Sequence, residues 1–82
     1  MDSVTIGNRI KALMAIRDLK RSYIAKRLGI SYNTLTKKLN GQREFSINEI
    51  IKIKEIFDLD EDLCANIFFN PNFLLSKDKK AN

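Results

Sequence analysis

Apolar residues recur along this chain at intervals of three and four positions, the spacing that places them on one face of an α-helix. The first stripe of this kind lies in a helix predicted over residues 5–17 and consists of Ile6, Ile10, Leu13 and Met14. The basic residues of this segment fall outside the stripe: Arg9, Lys11 and Arg17. No segment alternates apolar and polar residues over the length of a strand, so the pattern predicts an all-α fold.

Two short helices joined by a tight turn are predicted next, over residues 21–28 and 32–39. Gly29 lies just past the end of the first, where helices often finish in the left-handed conformation that glycine adopts easily. Ser31 is a suitable N-cap for the second, because its hydroxyl can accept a hydrogen bond from a free backbone N–H. The glycines are all interpreted as breaks between helices: Gly7, Gly29 and Gly41.

Two more helices are predicted in the second half of the chain, over residues 46–57 and 60–69. The earlier one begins with a capping box formed by Ser46 and Glu49. Its apolar residues cover a wide arc, so we expect it to be the central helix. The prediction is a compact all-α bundle of four to five short helices.

The length of 82 residues corresponds to one small domain, predicted over residues 1–75, followed by a polar tail over residues 76–82 that is expected to be frayed. A core of this size leaves no room for a deep active-site cavity. The sequence has no histidine, which removes histidine zinc ligands and general bases, and its single cysteine, Cys64, is expected to be a small core residue. We therefore expect no enzyme, cofactor, metal or small-molecule ligand.

Positive charge is concentrated in one part of the chain. The formal net charge is +5, and residues 17–43 contain eight basic residues and one acidic residue, whereas residues 58–76 contain four acidic residues and no basic one. Such a cluster favours nucleic acid or a membrane surface as partner, although many charge clusters are only solvated surface. No apolar run approaches the roughly 18 residues of a membrane span, and no signal-peptide pattern begins the chain, so a cytoplasmic location is expected.

The stretch IAKRLGISYNTLTKKLNGQREFS, residues 24–46, resembles the helix-turn-helix of the Cro and lambda-repressor family of phage and bacterial regulators. Its most specific part is the pattern A-x-x-L-G-I-S-x-x-x-L from Ala25 to Leu35, and the resemblance extends over residues 6–57. The family implies a bundle of four or five helices that binds operator DNA in a bacterial host cell, usually as a dimer. The second helix of the unit then lies in the major groove.

The resemblance also implies which residues contact DNA. Base contacts carry over to Ser31, Tyr32, Asn33 and Lys37. Phosphate contacts carry over to Arg21, Ser22 and Asn40, with Lys38 and Arg43 as further candidates. The side chains suit base contacts, because asparagine can pair with adenine, lysine can donate to guanine and a carbon edge can touch the thymine methyl.

Each of these assignments has an alternative. Tyr32 can instead pack on the first helix or on its own turn, and Asn33 can be an ordinary polar surface residue. Lys37 and Lys38 can be solvated and contribute only long-range attraction to DNA. Asn40 can simply ease the end of its helix.

Two positions depart from the family pattern. Lys20 stands where a serine or threonine often caps the second helix, and Lys38 stands where many members have an apolar residue. We expect Leu39 to take over the packing at the second of these positions.

The acidic and apolar segment after Asp58 carries more large apolar groups than one small domain is expected to bury, and such a surplus often marks an interface. We therefore predict a symmetric homodimer through Leu63, Ile67, Phe68, Phe69, Phe73 and Leu74. The predicted function is a sequence-specific, double-stranded DNA-binding regulator, a Cro-like phage or prophage repressor that acts as a homodimer on an operator. The alternative is an antirepressor or antitoxin-type module that acts mainly by binding a partner protein, such as a repressor.

Overall fold

The computed structural model describes residues 2–75, which form five α-helices and, within that range, no strand. The helices are α1 (Ser3–Arg17), α2 (Arg21–Leu28), α3 (Tyr32–Leu39), α4 (Ile47–Ile56) and α5 (Glu61–Phe69). The predicted all-α class is therefore confirmed. The tail that was expected to be frayed, residues 76–82, lies outside the described residues.

The start of α1 differs from the prediction, since the helix begins at Ser3 and not at Thr5. Asp2 has the extended backbone of an N-cap, and its carboxylate accepts a hydrogen bond from the Thr5 N–H at 2.7 Å. This hydrogen bond holds the pKa of Asp2 below its ordinary value. A capping aspartate thus starts the helix before its first core residue, Ile6.

The core lies between the five helices and is built largely from the residues that helical spacing placed inward. Its fully buried large side chains are Ile10, Ile24, Leu35, Leu39, Ile53, Phe57, Ile67 and Phe68. Helix α1 packs against α3 and α5, and α2 packs against α3 and α4. Cys64 also belongs to the core, where burial raises the pKa of its thiol. Helix α3 is therefore held from two sides, by α1 and by α2.

Helix α4 does not have the central place that its apolar content predicted. Ile53 is fully buried, but Ile47 and Ile51 are 69% and 51% exposed. These two side chains lie one turn apart, so they are neighbours on the helix surface. The wide apolar arc of α4 therefore combines a core stripe with an exposed pair.

Gly7 lies inside α1, so its interpretation as a break between helices is wrong. It is buried where α1 crosses the end of α3, and a Cβ at this position would overlap the carbonyl group of Leu39. The absence of a side chain permits this close approach of two helices. Gly29 and Gly41 do follow helix ends, with left-handed φ angles of 74° and 81°.

Arg9 is buried, although the sequence pattern placed it on the outward side of α1. Its guanidinium group donates hydrogen bonds to the carbonyl oxygens of Asn66 and Ile67, both at 3.0 Å, and of Phe73 at 2.6 Å. The first two carbonyls lie in the last turn of α5, where a helix leaves backbone acceptors without intrahelical partners. Arg9 therefore ties α1 to the end of α5 and to the chain that follows it.

Candidate nucleic-acid interface

The turn between α2 and α3 fixes the relative orientation of these helices. Gly29 donates its N–H to the Lys26 carbonyl at 3.2 Å, and Ile30 donates its N–H to the Ala25 carbonyl at 3.1 Å. This pair of hydrogen bonds is the Schellman arrangement, in which a left-handed residue closes a helix. Ala25 is buried between the helices, where its small side chain allows close packing. The result is a helix-turn-helix unit, residues 21–41.

The N-terminus of α3 is held by Ser31, as predicted for a capping residue. Its hydroxyl oxygen accepts a hydrogen bond from the Thr34 N–H at 3.0 Å and lies 2.9 Å from the Thr34 hydroxyl. Ser31 remains exposed while it makes these contacts. Its structural role is therefore defined by the cap, and any base contact is additional to it.

The exposed side of α3 carries three further residues that were predicted to contact bases: Tyr32, Asn33 and Lys37. Together with Ser31 they are called the polar face of α3. Tyr32 is 54% exposed, so its ring is not part of the core. The same short helix buries Leu35 and Leu39 completely on its other side. Helix α3 is thus anchored by a few apolar residues and presents amide, phenol and ammonium groups to solvent.

Arg21, the first residue of α2, reaches across to α3. It donates a hydrogen bond to the Thr36 hydroxyl at 3.1 Å, and its guanidinium carbon lies 5.8 Å from the centre of the Tyr32 ring. A cation over an aromatic ring is attracted by the electron density of the ring face. Arg21, a predicted phosphate contact, and Tyr32, a predicted base contact, therefore lie in one cluster. Thr36 was not among the predicted site residues, because only the packing of α2 on α3 brings it beside Arg21.

Asn40 lies at the end of α3 next to a basic residue of α1. The Lys11 ammonium is 3.4 Å from the Asn40 side-chain oxygen. Asn40 has a φ of −89°, and the following residue, Gly41, has the left-handed conformation. Asn40 is therefore not the left-handed residue that ends α3, and that role does not explain an asparagine at this position. Lys11 is an additional cation at this edge, and it was not predicted, because it lies 29 residues from Asn40 in the chain.

Two other predicted phosphate contacts, Ser22 and Arg43, are exposed at the surface. Lys20 occupies the N-cap position of α2 and makes no side-chain capping hydrogen bond. The predicted departure from the usual cap is thus present in the structure. The N–H groups at the start of α2 remain available to an external acceptor, because a helix does not pair them internally.

Lys38 does not fit the phosphate contact that was predicted for it. Its side chain is 7% exposed, and its ammonium donates a hydrogen bond to a Glu49 carboxylate oxygen at 2.5 Å. The ring of Phe45 is also close, with its centre 6.0 Å from the ammonium. Leu39 is completely buried, as expected from the departure at Lys38. The family's apolar position is therefore buried here as well, and an ion pair makes the burial of a lysine possible.

Glu49 has two competing influences on its pKa. Burial raises the pKa, but the hydrogen bonds from the Lys38 ammonium and the Ser46 N–H outweigh burial, and the net pKa is below the ordinary value. The Ser46 N–H donates to Glu49 at 2.8 Å, and the Glu49 N–H donates to the Ser46 hydroxyl at 3.1 Å. Glu49 thus completes the predicted capping box and is ionised at neutral pH.

The six residues predicted to form a dimer interface divide into three groups. Ile67 and Phe68 are buried in the core of the single chain, so they are not available to a partner. Phe69 and Leu74 are 67% and 77% exposed. The remaining two, Leu63 and Phe73, are partly buried against the core. The surplus of apolar residues after Asp58 is therefore smaller than the sequence suggested.

Comparison with known families agrees with this geometry. A profile of the helix-turn-helix family HTH_3 matches residues 10–64, which is more than half of the chain. No curated protein and no solved structure gives a significant match. The matched span contains all residues assigned above to base and phosphate contacts. In the part of the chain that the structure describes, no helix is both long enough and apolar enough to cross a membrane.

Proposed function

Because this chain belongs to the Cro and lambda-repressor type of helix-turn-helix family, a family of DNA-binding transcriptional regulators, we propose that it recognises a specific operator and acts as a Cro-like phage or prophage repressor. In this proposal α3 enters the major groove, and α2 lies across the DNA backbone. The base contacts come from the polar face of α3. The phosphate contacts fix the register of the protein on the duplex.

The observation that carries the proposal is the combination of groups on the polar face of α3. Asn33 and Lys37 are exposed one turn apart, so both can reach the same groove. Tyr32 is exposed beside them and is oriented by Arg21. An amide and an ammonium are the groups that distinguish adenine and guanine in the major groove.

Cationic and polar groups surround this face and support phosphate contacts on both sides. Arg21 and Ser22 lie at the start of α2, where free N–H groups and the helix dipole also favour an anion. At the other end of α3, Asn40 lies beside Lys11, and Arg43 follows in the next loop. In this proposal the cluster at the start of α2 and the cluster at the end of α3 contact phosphates at the two edges of one groove.

We further propose that two copies bind together through the exposed residues Phe69 and Leu74. Helix-turn-helix dimers contact half-sites about one helical turn apart, so pairing would place one α3 in each half-site. Sedimentation at micromolar concentration tests the pairing. A species of twice 9.5 kDa is expected, and a species of 9.5 kDa at every concentration contradicts it.

A second candidate function is an antirepressor or antitoxin-type module that binds a partner protein. The observation in its favour is the exposed apolar pair Ile47 and Ile51 on α4. This pair lies outside the polar face of α3. Partner binding through α4 is therefore compatible with DNA binding through α3, and the two uses need separate tests.

Selection from a pool of random duplex DNA at moderate salt tests the main proposal. We expect an inverted repeat whose half-sites are about 34–36 Å apart. Binding should weaken steeply as salt is raised, because each neutralised phosphate releases counterions. Recovery of no preferred sequence, with only weak salt-sensitive binding, would contradict operator recognition and favour the partner-binding function.

Asn33→Ala tests the base readout within the selected operator. The variant should lose about 1–3 kcal/mol of discrimination at one base position, because a bidentate amide contact is removed. Its salt dependence should not change, since Asn33 carries no charge. Competition binding against operators changed at single positions gives the measurement. An unchanged preference at every position would remove Asn33 from the readout.

A further inference from the structure

Lys37 and Lys38 are neighbours on α3 with opposite environments. Lys37 is exposed on the polar face, whereas the Lys38 side chain is 7% exposed and paired with Glu49. Removing a lysine ammonium from water is costly unless a carboxylate compensates for the lost hydration. The ion pair with Glu49 therefore compensates for the burial of the Lys38 ammonium in the position that α3 adopts.

The pair joins two helix ends through one atom. The same Glu49 carboxylate oxygen accepts hydrogen bonds from the Lys38 ammonium at 2.5 Å and from the Ser46 N–H at 2.8 Å. Lys38 lies in the last turn of α3, and Glu49 lies in the first turn of α4. Each charge is thus favoured by the dipole of its own helix. The start of α4 is fixed by the capping box, so it provides a rigid anchor for the end of α3.

We propose that Lys38 is a positioning residue for DNA recognition, whose ion pair with Glu49 fixes α3 against the start of α4 and so sets where the polar face meets the base edges. The inference rests on the proposed operator binding and goes beyond it, because Lys38 contacts no DNA in this scheme. Hydrogen bonds between charged groups require a defined direction and distance. An apolar side chain at the same place would fill the space without that directional constraint.

Stability and positioning can be separated by changing both partners. Lys38→Met alone leaves Glu49 buried without its cation, which destabilises the fold. The double variant Lys38→Met with Glu49→Gln removes both charges, and its glutamine can still accept the Ser46 hydrogen bond. Replacement of a buried pair by uncharged groups of similar size is often neutral for stability. The double variant is therefore expected to be as stable as the original chain but to lack the ionic tether of α3.

Operator binding by the full chain, measured over a range of salt concentrations, distinguishes the two roles of Lys38. We expect the double variant to bind the selected operator about tenfold more weakly, the cost of one well-made base contact. Binding to unrelated duplex and the slope of log affinity against log salt should stay unchanged, because a buried lysine neutralises no phosphate. Lys52→Met, an exposed α4 lysine with the same chemical change, is the control and should keep full operator affinity.

Two results would overturn the inference while leaving operator binding intact. One is a double variant with unchanged operator affinity. The other is a salt slope reduced by about 0.9, which is the signature of a lost phosphate contact. If the original chain selects no sequence, the proposed function fails and the inference fails with it. Should the double variant be unfolded, Glu49→Gln alone takes its place, and unchanged operator affinity there has the same meaning.

Discussion

The helix-turn-helix unit, residues 21–41, and the C-terminal region, α5 with residues 70–75, are held in place by different kinds of interaction. In the first, the hydrogen bonds that begin and end the helices connect residues three to five positions apart, such as Ser31 with Thr34 and Ile30 with Ala25. In the second, Arg9 connects to carbonyl groups 57, 58 and 64 residues later. Local signals therefore set the helix ends of the helix-turn-helix unit, whereas a distant residue anchors the surface proposed for pairing.

The difference also separates two uses of positive charge. Arg21 and Lys37 hold their charges at or near the surface of the helix-turn-helix unit, where they can meet phosphates and bases. Arg9 and Lys38 are buried, and their charges are used inside the chain to connect helices. A count of basic residues does not distinguish these groups. The number of charges available to DNA is therefore smaller than the sequence suggests.

Of the changes that test this comparison, Arg9→Met should lower the free energy of unfolding most. It removes hydrogen bonds from a charged donor to three carbonyls and should lower the free energy of unfolding by about 3 kcal/mol. Hydrogen exchange should show earlier loss of protection in α5 than in α2 and α3. Urea denaturation measures the free energy of unfolding of the whole chain. Arg17→Met, an exposed change on the same helix, is the control and should stay within about 0.5 kcal/mol of the original chain. Equal loss of protection in all helices would contradict the separate anchoring of the two regions.

Gly7→Ala and Gly29→Ala form a pair that sharpens the contrast between tertiary and local constraints. A methyl group at Gly7 meets the backbone of Leu39, so α1 and α3 must separate, at a cost of about 2 kcal/mol. At Gly29 nothing lies within 4 Å of the new Cβ, and only the left-handed backbone is strained, at about 1 kcal/mol. Thermal or urea denaturation measures both. A stabilised Gly7→Ala variant, as expected for a freely exposed helix position, would contradict the close contact.

Acid should weaken the ion pair that connects α3 and α4. Its effect should be the smallest of the three predicted effects on stability. The pKa of Glu49 is lowered in the folded chain, so its contribution is fully present above the pKa of the unfolded chain. That contribution is lost as pH falls through the lower folded pKa. Denaturation midpoints compared between about pH 6 and about pH 3 should therefore fall less in Glu49→Gln than in the original chain. Identical acid dependence in the two proteins would mean that Glu49 does not contribute.

Helix positions and the turn could be read from the sequence because their causes are close in the chain. Ser31 caps α3, the Ser46 and Glu49 capping box starts α4, and Gly29 closes α2 as predicted. The exposure of Asn33 and Lys37 agrees with the contacts that the family resemblance implied for them. The helical period and the caps depend only on neighbouring residues, so they are visible without a structure.

The predictions that failed depended on distant neighbours. Ile67 and Phe68 could not be told from Phe69 by composition, since all three are large and apolar, and only the packing of α5 on α1 decided which are buried. In the same way, α4 exposes Ile47 and Ile51 because the chain offers no further helix to cover them within the described residues. Hydrophobic spacing gives the stripe of a helix but not how much of that stripe the other helices cover.

The sequence by itself determined the five helices and the helix-turn-helix unit, because helical period, caps and turn glycines act over a few residues. The tertiary structure alone decided the roles of Gly7, Arg9 and Lys38. Each depends on a partner brought close by folding: the Leu39 carbonyl, the end of α5 and the Glu49 carboxylate. The physical reason is that a buried charge or a missing side chain is favourable only against a specific neighbour, and the sequence does not state which neighbour that will be.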